Sequence, residues 1–282
     1  MLETAQPMTA EQFARLARIV HQDSGIALAE TKKGLLMART NRRLRSLKMS
    51  DYSAYCDFLE RPDGVEERRH LLVAVTTNVT AFFREAHHFE LLSQQILPGL
   101  VTAARRGARV RLWSAACSSG EEPYSMAMTV LDAFPEAARH DVLILATDID
   151  PDIVARARAA QYDAQALKGL DAARRDRYFT RAGERYMVRP EVQKLVRFAE
   201  LNLHRDWPFS GQFDVILCRN VVIYFDIPMR QQLWQKFARA LRPNGCLMIG
   251  HSERIDGPAA NMFQSIGTTA YQLMRDRIPM NQ

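Results

Sequence analysis

Two adjacent carboxylates, Glu121 and Glu122, follow the stretch RLWSAACSSG, and a third, Asp148, closes the apolar run DVLILATD. The first stretch reads as a buried strand turning into a helix, the junction at which nucleotide-binding folds place a glycine-rich turn. Here the turn has one glycine, Gly120, and Ala115, Ala116, Cys117, Ser118 and Ser119 fill the other places. A pyrophosphate needs glycines so that the backbone can approach it, which disfavours a dinucleotide. A cofactor without phosphate asks less, and Ala and Ser suffice. Glu121 and Glu122 suit the positive end of a helix; they repel a phosphate and welcome a cation or an amino group. Asp148 stands where an acidic residue after the second strand accepts hydrogen bonds from a ribose diol. A ligand with a ribose, a positive charge and no phosphate fits S-adenosylmethionine. Each acid alone reads equally well as a helix cap or a turn residue, but together, at successive strand ends, they favour a cofactor site.

The elements that must position these groups follow from periodicity. From about Arg109, short apolar strands alternate with helices: RVRLWSAA, EPYSMAMTVLDAF, DVLILATDID, PDIVARARAAQ, FDVILC, PMRQQLWQKFARAL and CLMIGHSE. That order predicts a parallel α/β sheet covered on both faces. Ligands bind beyond the C-terminal ends of such strands, which brings Asn202 with Leu203, and Arg219 with Asn220, into the same reading. PNG is expected to stop the helix before CLMIGHSE, and FQSIGTTAYQLMR to form a closing hairpin. Residues 162–197 break the alternation; RYF and RYMV around Gly183 read as a small antiparallel insertion. Residues 9–75 read as helices only. Thr9 and Gln12 make a capping box, Phe13, Leu16, Ala17 and Val20 share one face, and Gly25 ends the first helix. A second helix is expected over about Lys32 to Leu47, a third from near Ser50, and a fourth over Val65 to Val75 after the turn RPDG.

The chain has 282 residues, 47% hydrophobic and 25% charged, ordinary for a soluble globular protein. The N-terminus MLETAQPMTAEQ has no apolar core of a signal peptide, and no apolar run approaches the roughly 20 residues of a membrane helix. Cys56, Cys117, Cys218 and Cys246 are far apart and form no CxxC, and the seven histidines include no HExxH. No disulfide framework and no metal are therefore expected, and the compartment is expected to be the reducing cytoplasm. Net charge is +6, which favours an acidic partner without choosing its kind.

TTNVTAFFRE (Thr76 to Glu85), SAACSSGEEPYS, ATDID, NL at Asn202, CRNVVIYF (Cys218 to Phe225) and GHSE at Gly250 together resemble the chemotaxis receptor methyltransferase family, CheR. The likeness covers nearly the whole chain. It implies a class I S-adenosylmethionine-dependent methyltransferase with a Rossmann-like sheet, an N-terminal all-helical docking domain over residues 1–75, a linker over 76–90 that contributes to the cofactor site, a methyltransferase domain over 91–282, and an inserted β subdomain over 162–197. It implies methyl transfer from S-adenosylmethionine to glutamate side chains of the cytoplasmic helical region of bacterial chemoreceptors, giving glutamyl methyl esters and S-adenosylhomocysteine. The cofactor-binding residues it implies are Asn78, Thr80, Arg84, one or both of Glu121 and Glu122, Asp148, Asn202, Leu203, Arg219 and Asn220. The catalytic positions it implies are Arg84 and Tyr224.

Methyl transfer to a carboxylate needs little acid–base help, because a glutamate is already ionised at pH 7. What remains is in-line positioning and partial desolvation of opposite charges that cancel in the transition state. Arg84 then serves as a donor to the substrate carboxylate and Tyr224 as a hydroxyl at the methyl; read without the resemblance, they are a surface arginine and a core aromatic. Between residues 32 and 48 lie seven basic residues and no acid. They form either a solvated helix face or a surface, with Arg39, Arg42, Arg43 and Arg45, that docks acidic receptor helices. A nucleic-acid methyltransferase is the rival enzyme, but RNVVIY stands where an NPPY-like turn would, and no cysteine follows a proline. A non-catalytic S-adenosylmethionine-binding module is the third reading. The expected partner is thus a membrane-bound receptor array approached from the cytoplasm by a monomer that is neither membrane-embedded nor bound to nucleic acid. Some family members grip a receptor's C-terminal pentapeptide with the β subdomain, through a longer glycine-rich loop. The stretch TRAGERYMVRPEV (Thr180 to Val192) is short and arginine-rich, so no such tether is expected here.

Overall fold

A computed structural model describes residues 7–274. The chain divides into two compact units. The first comprises the residues up to Thr77 together with His204–Asp206 and Tyr224–Met229, and the second comprises the remainder.

The first unit is helical. α1 (Ala10–Ser24) begins at the expected capping box, with Gln12 N–H donating to Thr9 Oγ1 at 3.1 Å and Gln12 Oε1 accepting Thr9 N–H at 2.8 Å. It ends at Gly25 in the left-handed region (φ 73°), a conformation that favours glycine. Its buried face is Phe13, Leu16, Ile19 and Val20, so Ile19 takes the place expected for Ala17. α2 (Lys33–Ser46), α3 (Tyr52–Glu60) and α4 (Val65–Val75) follow. The turn between α3 and α4 needs Gly64, since a Cβ there would stand 2.1 Å from the Phe58 carbonyl oxygen. A partly buried ion pair ties α2 to α4: Arg43 donates to Glu67 at 2.9 and 2.6 Å, and Tyr55 Oη donates to the same carboxylate. Phe225 forms an isolated antiparallel bridge with Ile26, and His21 Nε2 lies 2.7 Å from Asp226 Oδ2.

The second unit opens with α5 (Ala86–Leu91) and α6 (Leu97–Arg105) and is built on a seven-stranded sheet. The strands are β1 (Val110–Ala115), β2 (Val142–Asp148), β6 (Val196–Glu200), β7 (Phe213–Cys218), β8 (Leu241–Ile249), β9 (Phe263–Gly267) and β10 (Ala270–Leu273), in the order β6-β2-β1-β7-β8-β10-β9. The first five are parallel, and β10 and β9 close the edge antiparallel. All six residues of β7 are buried, as expected of a strand covered on both faces. The crossovers include α7 (Glu121–Ala133), α8 (Pro151–Ala159) and α11 (Ile227–Ala240). β1 leads to β2 on one side and has β7 on the other, so a crevice is expected at its C-terminal end. PNG does not separate helix from strand: α11 runs directly into β8, and Pro243, Asn244 and Gly245 lie inside the strand. Proline supplies no ladder N–H, and the register shifts there, from Phe213↔Leu241 to Val215↔Cys246.

Between α8 and β6 lies a second sheet of β3 (Gln161–Asp163), β4 (Phe179–Ala182) and β5 (Arg185–Val188), in the order β3-β5-β4. β4 and β5 are joined by the two residues Gly183 and Glu184. α9 (Ala172–Tyr178) precedes β4, and α10 (Pro190–Gln193) returns the chain to β6. Among the described residues, no helix is long and apolar enough to cross a membrane.

Candidate active site

The β1–α7 turn shows how a loop with one glycine is made. Ala116 (φ 67°), Ser118 (φ 50°) and Gly120 (φ 98°) all take left-handed conformations. The glycine stands where a side chain has no room: a Cβ on Gly120 would lie 2.8 Å from Tyr162 Oη and 3.0 Å from Ala157 Cβ of α8. That is the close-packing role of a fold glycine, distinct from cradling phosphate. Tyr162 Oη donates to the Ser119 carbonyl at 2.7 Å and pins the turn further. Cys117 is buried, and burial pushes its thiol well above the ordinary range, which disfavours the thiolate that a nucleophile needs.

The two glutamates face different neighbours. Glu122 lies between adjacent strand ends, accepting Ser114 Oγ of β1 at 2.6 Å and Arg219 Nε, just past β7, at 2.6 Å. Glu121 accepts Ser119 Oγ at 2.7 Å, and burial raises its pKa. Glu122 is therefore the acid that links β1 to the end of β7. At the end of β2, Asp148 is 6% exposed. Its Oδ2 accepts the Ser118 N–H at 2.8 Å and its Oδ1 the Asp150 N–H at 3.1 Å. Burial pushes its carboxyl up, against the pull of hydrogen bonds from the backbone N–H groups of Ser118, Asp150 and Ile149. A carboxylate has roughly four lone-pair positions, so acceptor capacity is left for a hydroxyl. Asp150 caps α8 through Asp152 and Ile153 and also accepts Asn78 Nδ2 at 3.2 Å. The Asn78 carbonyl accepts Ser118 Oγ at 3.1 Å, which places Asn78 beside the turn.

The segment TAFFRE approaches the ends of the same strands. Phe82 anchors it edge-on against Tyr162 and Phe179, and Phe83 packs on Phe89 with the Arg174 guanidinium over its ring. Phe83 (φ 53°) and Glu85 (φ 58°) are both left-handed and flank Arg84. Arg84 donates through Nη1 to the Val79 carbonyl at 3.0 Å and through Nη2 to Asn220 Oδ1 at 2.9 Å. Its own carbonyl accepts Arg219 Nη1.

Asn220, left-handed at φ 60°, opens the loop after β7. That loop is held by Glu253, buried at 4% exposure, whose Oε1 accepts the N–H groups of Val221 and Val222, both at 2.9 Å, while Oε2 accepts those of Asn220 at 3.1 Å and Gly250 at 2.6 Å. Burial raises the Glu253 pKa and these hydrogen bonds oppose it. A Cβ on Gly250 would lie 2.7 Å from the Asn220 nitrogen, so the glycine lets the two loops meet. Glu253 and Glu85 are the residues that reading strand ends passed over. Glu253 closes GHSE and Glu85 closes TTNVTAFFRE, and their place in those motifs is the signal that could have found them.

Asn78, Arg84, Glu122, Asp148, Arg219 and Asn220 thus converge on the C-terminal ends of β1, β2 and β7. Asn202 and Leu203 follow β6 beside Asp148, whose carbonyl accepts the Leu201 N–H at 2.9 Å; Leu203 is buried, and Thr80 is half-buried. Tyr224 falls in the helical unit, where its carbonyl accepts the Ala27 N–H, and its side chain is exposed. Of the basic residues on α2, Arg39 donates to the carbonyls of Ala74 and Thr76 at the end of α4, and Arg43 is taken up by Glu67; Arg42 and Arg45 are exposed.

Glu85, His87 and His88 bring carboxylate and imidazole atoms within 4.8 Å of one another. Arg219 Nη1 already lies 3.9 Å from Glu85 Oε2 and 3.5 Å from His88 Nδ1, and its charge disfavours a metal cation there. Burial, then the charge of Arg219, lowers the His88 pKa to about 4.

The residues present fit S-adenosylmethionine: an acid at the end of β2 for a diol, a packing glycine with no phosphate cradle, and an acid–arginine pair for a zwitterionic amino-acid end. The comparisons with known proteins agree. The family model described as "CheR methyltransferase, SAM binding domain" matches residues 78–272, and "CheR methyltransferase, all-alpha domain" matches residues 11–76. The chain belongs to the CheR methyltransferase family. A probable chemotaxis protein methyltransferase of Rhizobium etli is 48% identical over 90% of this chain and 96% of that protein. The chemotaxis protein methyltransferase of Escherichia coli K12 is 39% identical, covering 94% and 91%, and chemotaxis protein methyltransferase 2 of Pseudomonas aeruginosa is 39% identical, covering 93% of each. The CheR-family chain is accordingly an S-adenosylmethionine-dependent methyltransferase of the chemotaxis class.

Proposed function

We propose that this enzyme methylates glutamate side chains in the cytoplasmic helical region of bacterial chemoreceptors, giving glutamyl methyl esters. The observation that carries the proposal is the placement of Arg84 just past the end of β7, held by the Val79 carbonyl and Asn220 while keeping further N–H donors for a carboxylate.

S-adenosylmethionine, when bound, supplies an electrophilic methyl on a sulfonium that leaves as a neutral thioether. Asp148 accepts from the ribose, with Asn78, Thr80, Asn202 and Leu203 around the nucleoside. Glu122 and Arg219 offer one charge of each sign to the amino-acid end. Of the two adjacent glutamates, Glu122 takes this role because it stands between Ser114 and Arg219. Arg84 orients the substrate carboxylate without neutralising it, since charge stabilised in the ground state disappears as the ester forms. Tyr224 is assigned the hydroxyl beside the transferred methyl on the resemblance alone. Docking falls to the exposed part of the basic face, with Arg42 and Arg45 at its centre, against glutamate-rich receptor helices at the membrane-bound array. A pentapeptide tether is not needed in this reading. The turn at Gly183 and Glu184 has only two residues, and Arg181 Nε folds back onto the Gly183 carbonyl at 3.1 Å.

The test is calorimetry with S-adenosylmethionine followed by transfer of labelled methyl to receptor-containing membranes. Cofactor binding and base-labile label on receptor glutamates are expected. Binding without transfer would favour a non-catalytic module, and label on nucleic acid would favour the rival enzyme. Micromolar binding of the isolated tail pentapeptide would show that the small sheet keeps the grip.

A further inference from the structure

Glu85 is a residue whose backbone and side chain are both unfavourably placed. A glutamate at φ 58° gives up the steric freedom that glycine or asparagine would have there. It stands at the N-cap position of α5, yet its side chain caps nothing. The carboxylate, 10% exposed, instead turns toward the loop after β7. Oε1 accepts Asn220 Nδ2 at 3.1 Å, the His251 N–H at 3.4 Å and lies 3.2 Å from His251 Nδ1. Oε2 is buried with no hydrogen-bond partner among the described residues, 3.6 Å from His88 Nδ1 and 3.9 Å from Arg219 Nη1. Burial opposes its ionisation most strongly, but the hydrogen bonds from Asn220 and His251 and the charge of Arg219 leave its pKa below the usual range, so it is a carboxylate.

Its effect comes through the Asn220 amide. The oxygen and nitrogen ends of a primary amide have nearly the same shape, so an isolated asparagine does not choose between its two orientations. Here the amide lies between Arg84 and Glu85. A guanidinium can only donate and a carboxylate can only accept. One orientation satisfies both: Oδ1 to Arg84 and Nδ2 to Glu85. The opposite orientation sets donor against donor and acceptor against acceptor.

We propose that Glu85 is a positioning residue for methyl transfer, fixing the Asn220 amide so that its oxygen anchors the Arg84 guanidinium. This rests on the reading of Arg84 as the donor to the substrate carboxylate. In Glu85→Gln the partner of Asn220 can donate as well as accept, both amide orientations become available, and in the flipped one Arg84 keeps only the Val79 carbonyl. Glu85 touches neither substrate nor cofactor in this scheme and acts through Asn220.

The deciding experiment is a compensation test with receptor methylation as readout. Glu85→Gln is expected to lower kcat at least tenfold with little change in melting temperature. Asn220→Asp sets two carboxylates against each other and is expected to lower kcat further. The double variant, Glu85→Gln with Asn220→Asp, restores the relay: the introduced amide donates to the introduced carboxylate, which in turn accepts from Arg84. It is expected to recover at least tenfold over Asn220→Asp alone. A purely structural Glu85 predicts a double variant no better than the worse single one, and that outcome overturns the proposal, as does wild-type kcat in Glu85→Gln. Nitrogen-15 relaxation of the Arg84 guanidinium reads the same relay without any substrate. Slow rotation at Nη in the wild type and averaging in Glu85→Gln are expected, whereas equal rotation in both overturns the inference. Slow rotation in a wild type that methylates no receptor would locate the failure in the reading of the substrate.

Discussion

Arg219 Nε donates to Glu122 Oε2 at 2.6 Å, with 3% and 9% of the two side chains exposed. The pair joins the first turn of α7 to the end of β7 and is further held by Ser114 of β1 and by the Arg84 carbonyl. Breaking such a pair from one side leaves a buried, unpaired charge, which costs about 3–5 kcal/mol. Arg219→Met is expected to destabilise the protein by about that amount in urea denaturation. Glu122→Gln combined with Arg219→Met is expected to recover part of it, because the lone charge is gone. Wild-type stability in Arg219→Met would mean that the pair is not what holds these strand ends.

Asp148 combines burial with unused acceptor capacity at the end of β2. Removing its carboxylate in Asp148→Ala takes away one or two hydrogen bonds to the proposed diol, worth roughly 1.5–3 kcal/mol each for a charged acceptor. The Kd for S-adenosylmethionine, measured by calorimetry, is expected to rise at least tenfold. An unchanged Kd would remove Asp148 from the cofactor site.

Much of this architecture was legible because its signals are local. RPDG marks the start of α4, apolar runs mark β1, β2 and β7, and Asp148 stands at a strand end whatever the rest of the chain does. What was not legible depends on partners far along the chain. PNG reads as a helix stop, yet pairing of β8 with β7 draws it into a strand. Ala116, Ser118, Asn220 and Glu85 adopt left-handed backbone without being glycine, so composition gives no warning of their strain. Glu85 and Glu253 look like ordinary surface acids until Asn220 and the N–H groups behind it come into view. Arg39 and Arg43 read as members of a uniform basic face, but their partners lie on or just beyond α4.

That last distinction separates docking from folding. Arg42 and Arg45 are exposed, whereas Arg43 reaches a Glu67 that is only 4% exposed. Arg42→Glu with Arg45→Glu is expected to lower the rate of receptor methylation and its salt sensitivity, since exposed charge acts over about 8–10 Å at physiological ionic strength. Cofactor affinity and melting temperature should stay near wild type. Arg43→Glu sets like charges together in the helical unit and is expected to cost about 3 kcal/mol or more of stability. Equal melting temperatures for Arg43→Glu and the exposed pair would make the two kinds of arginine equivalent. Unchanged, salt-independent methylation by the Arg42/Arg45 variant would return α2 to a solvated face.

His88 gives the second unit a specific acid sensitivity. It is 1% exposed, its Nε2 lies 3.0 Å from Thr269 Oγ1, and burial with the nearby Arg219 charge lowers its pKa to about 4. An unfolded histidine titrates near 6.5. Above about pH 6.5 the ring is neutral in both states and contributes no pH dependence. Between pH 6.5 and 4 the unfolded chain takes up a proton that the folded one refuses, so stability falls with acidity, by on the order of 3 kcal/mol in total for this group. Below pH 4 both states are protonated and this contribution levels off. His88→Gln keeps a polar side chain without the titration, and is expected to flatten the loss of melting temperature between pH 6.5 and 4 relative to wild type. Parallel pH profiles for the two proteins, or a His88 ring resonance that titrates near 6.5 in the folded state, would show that the ring is not held neutral beside Arg219.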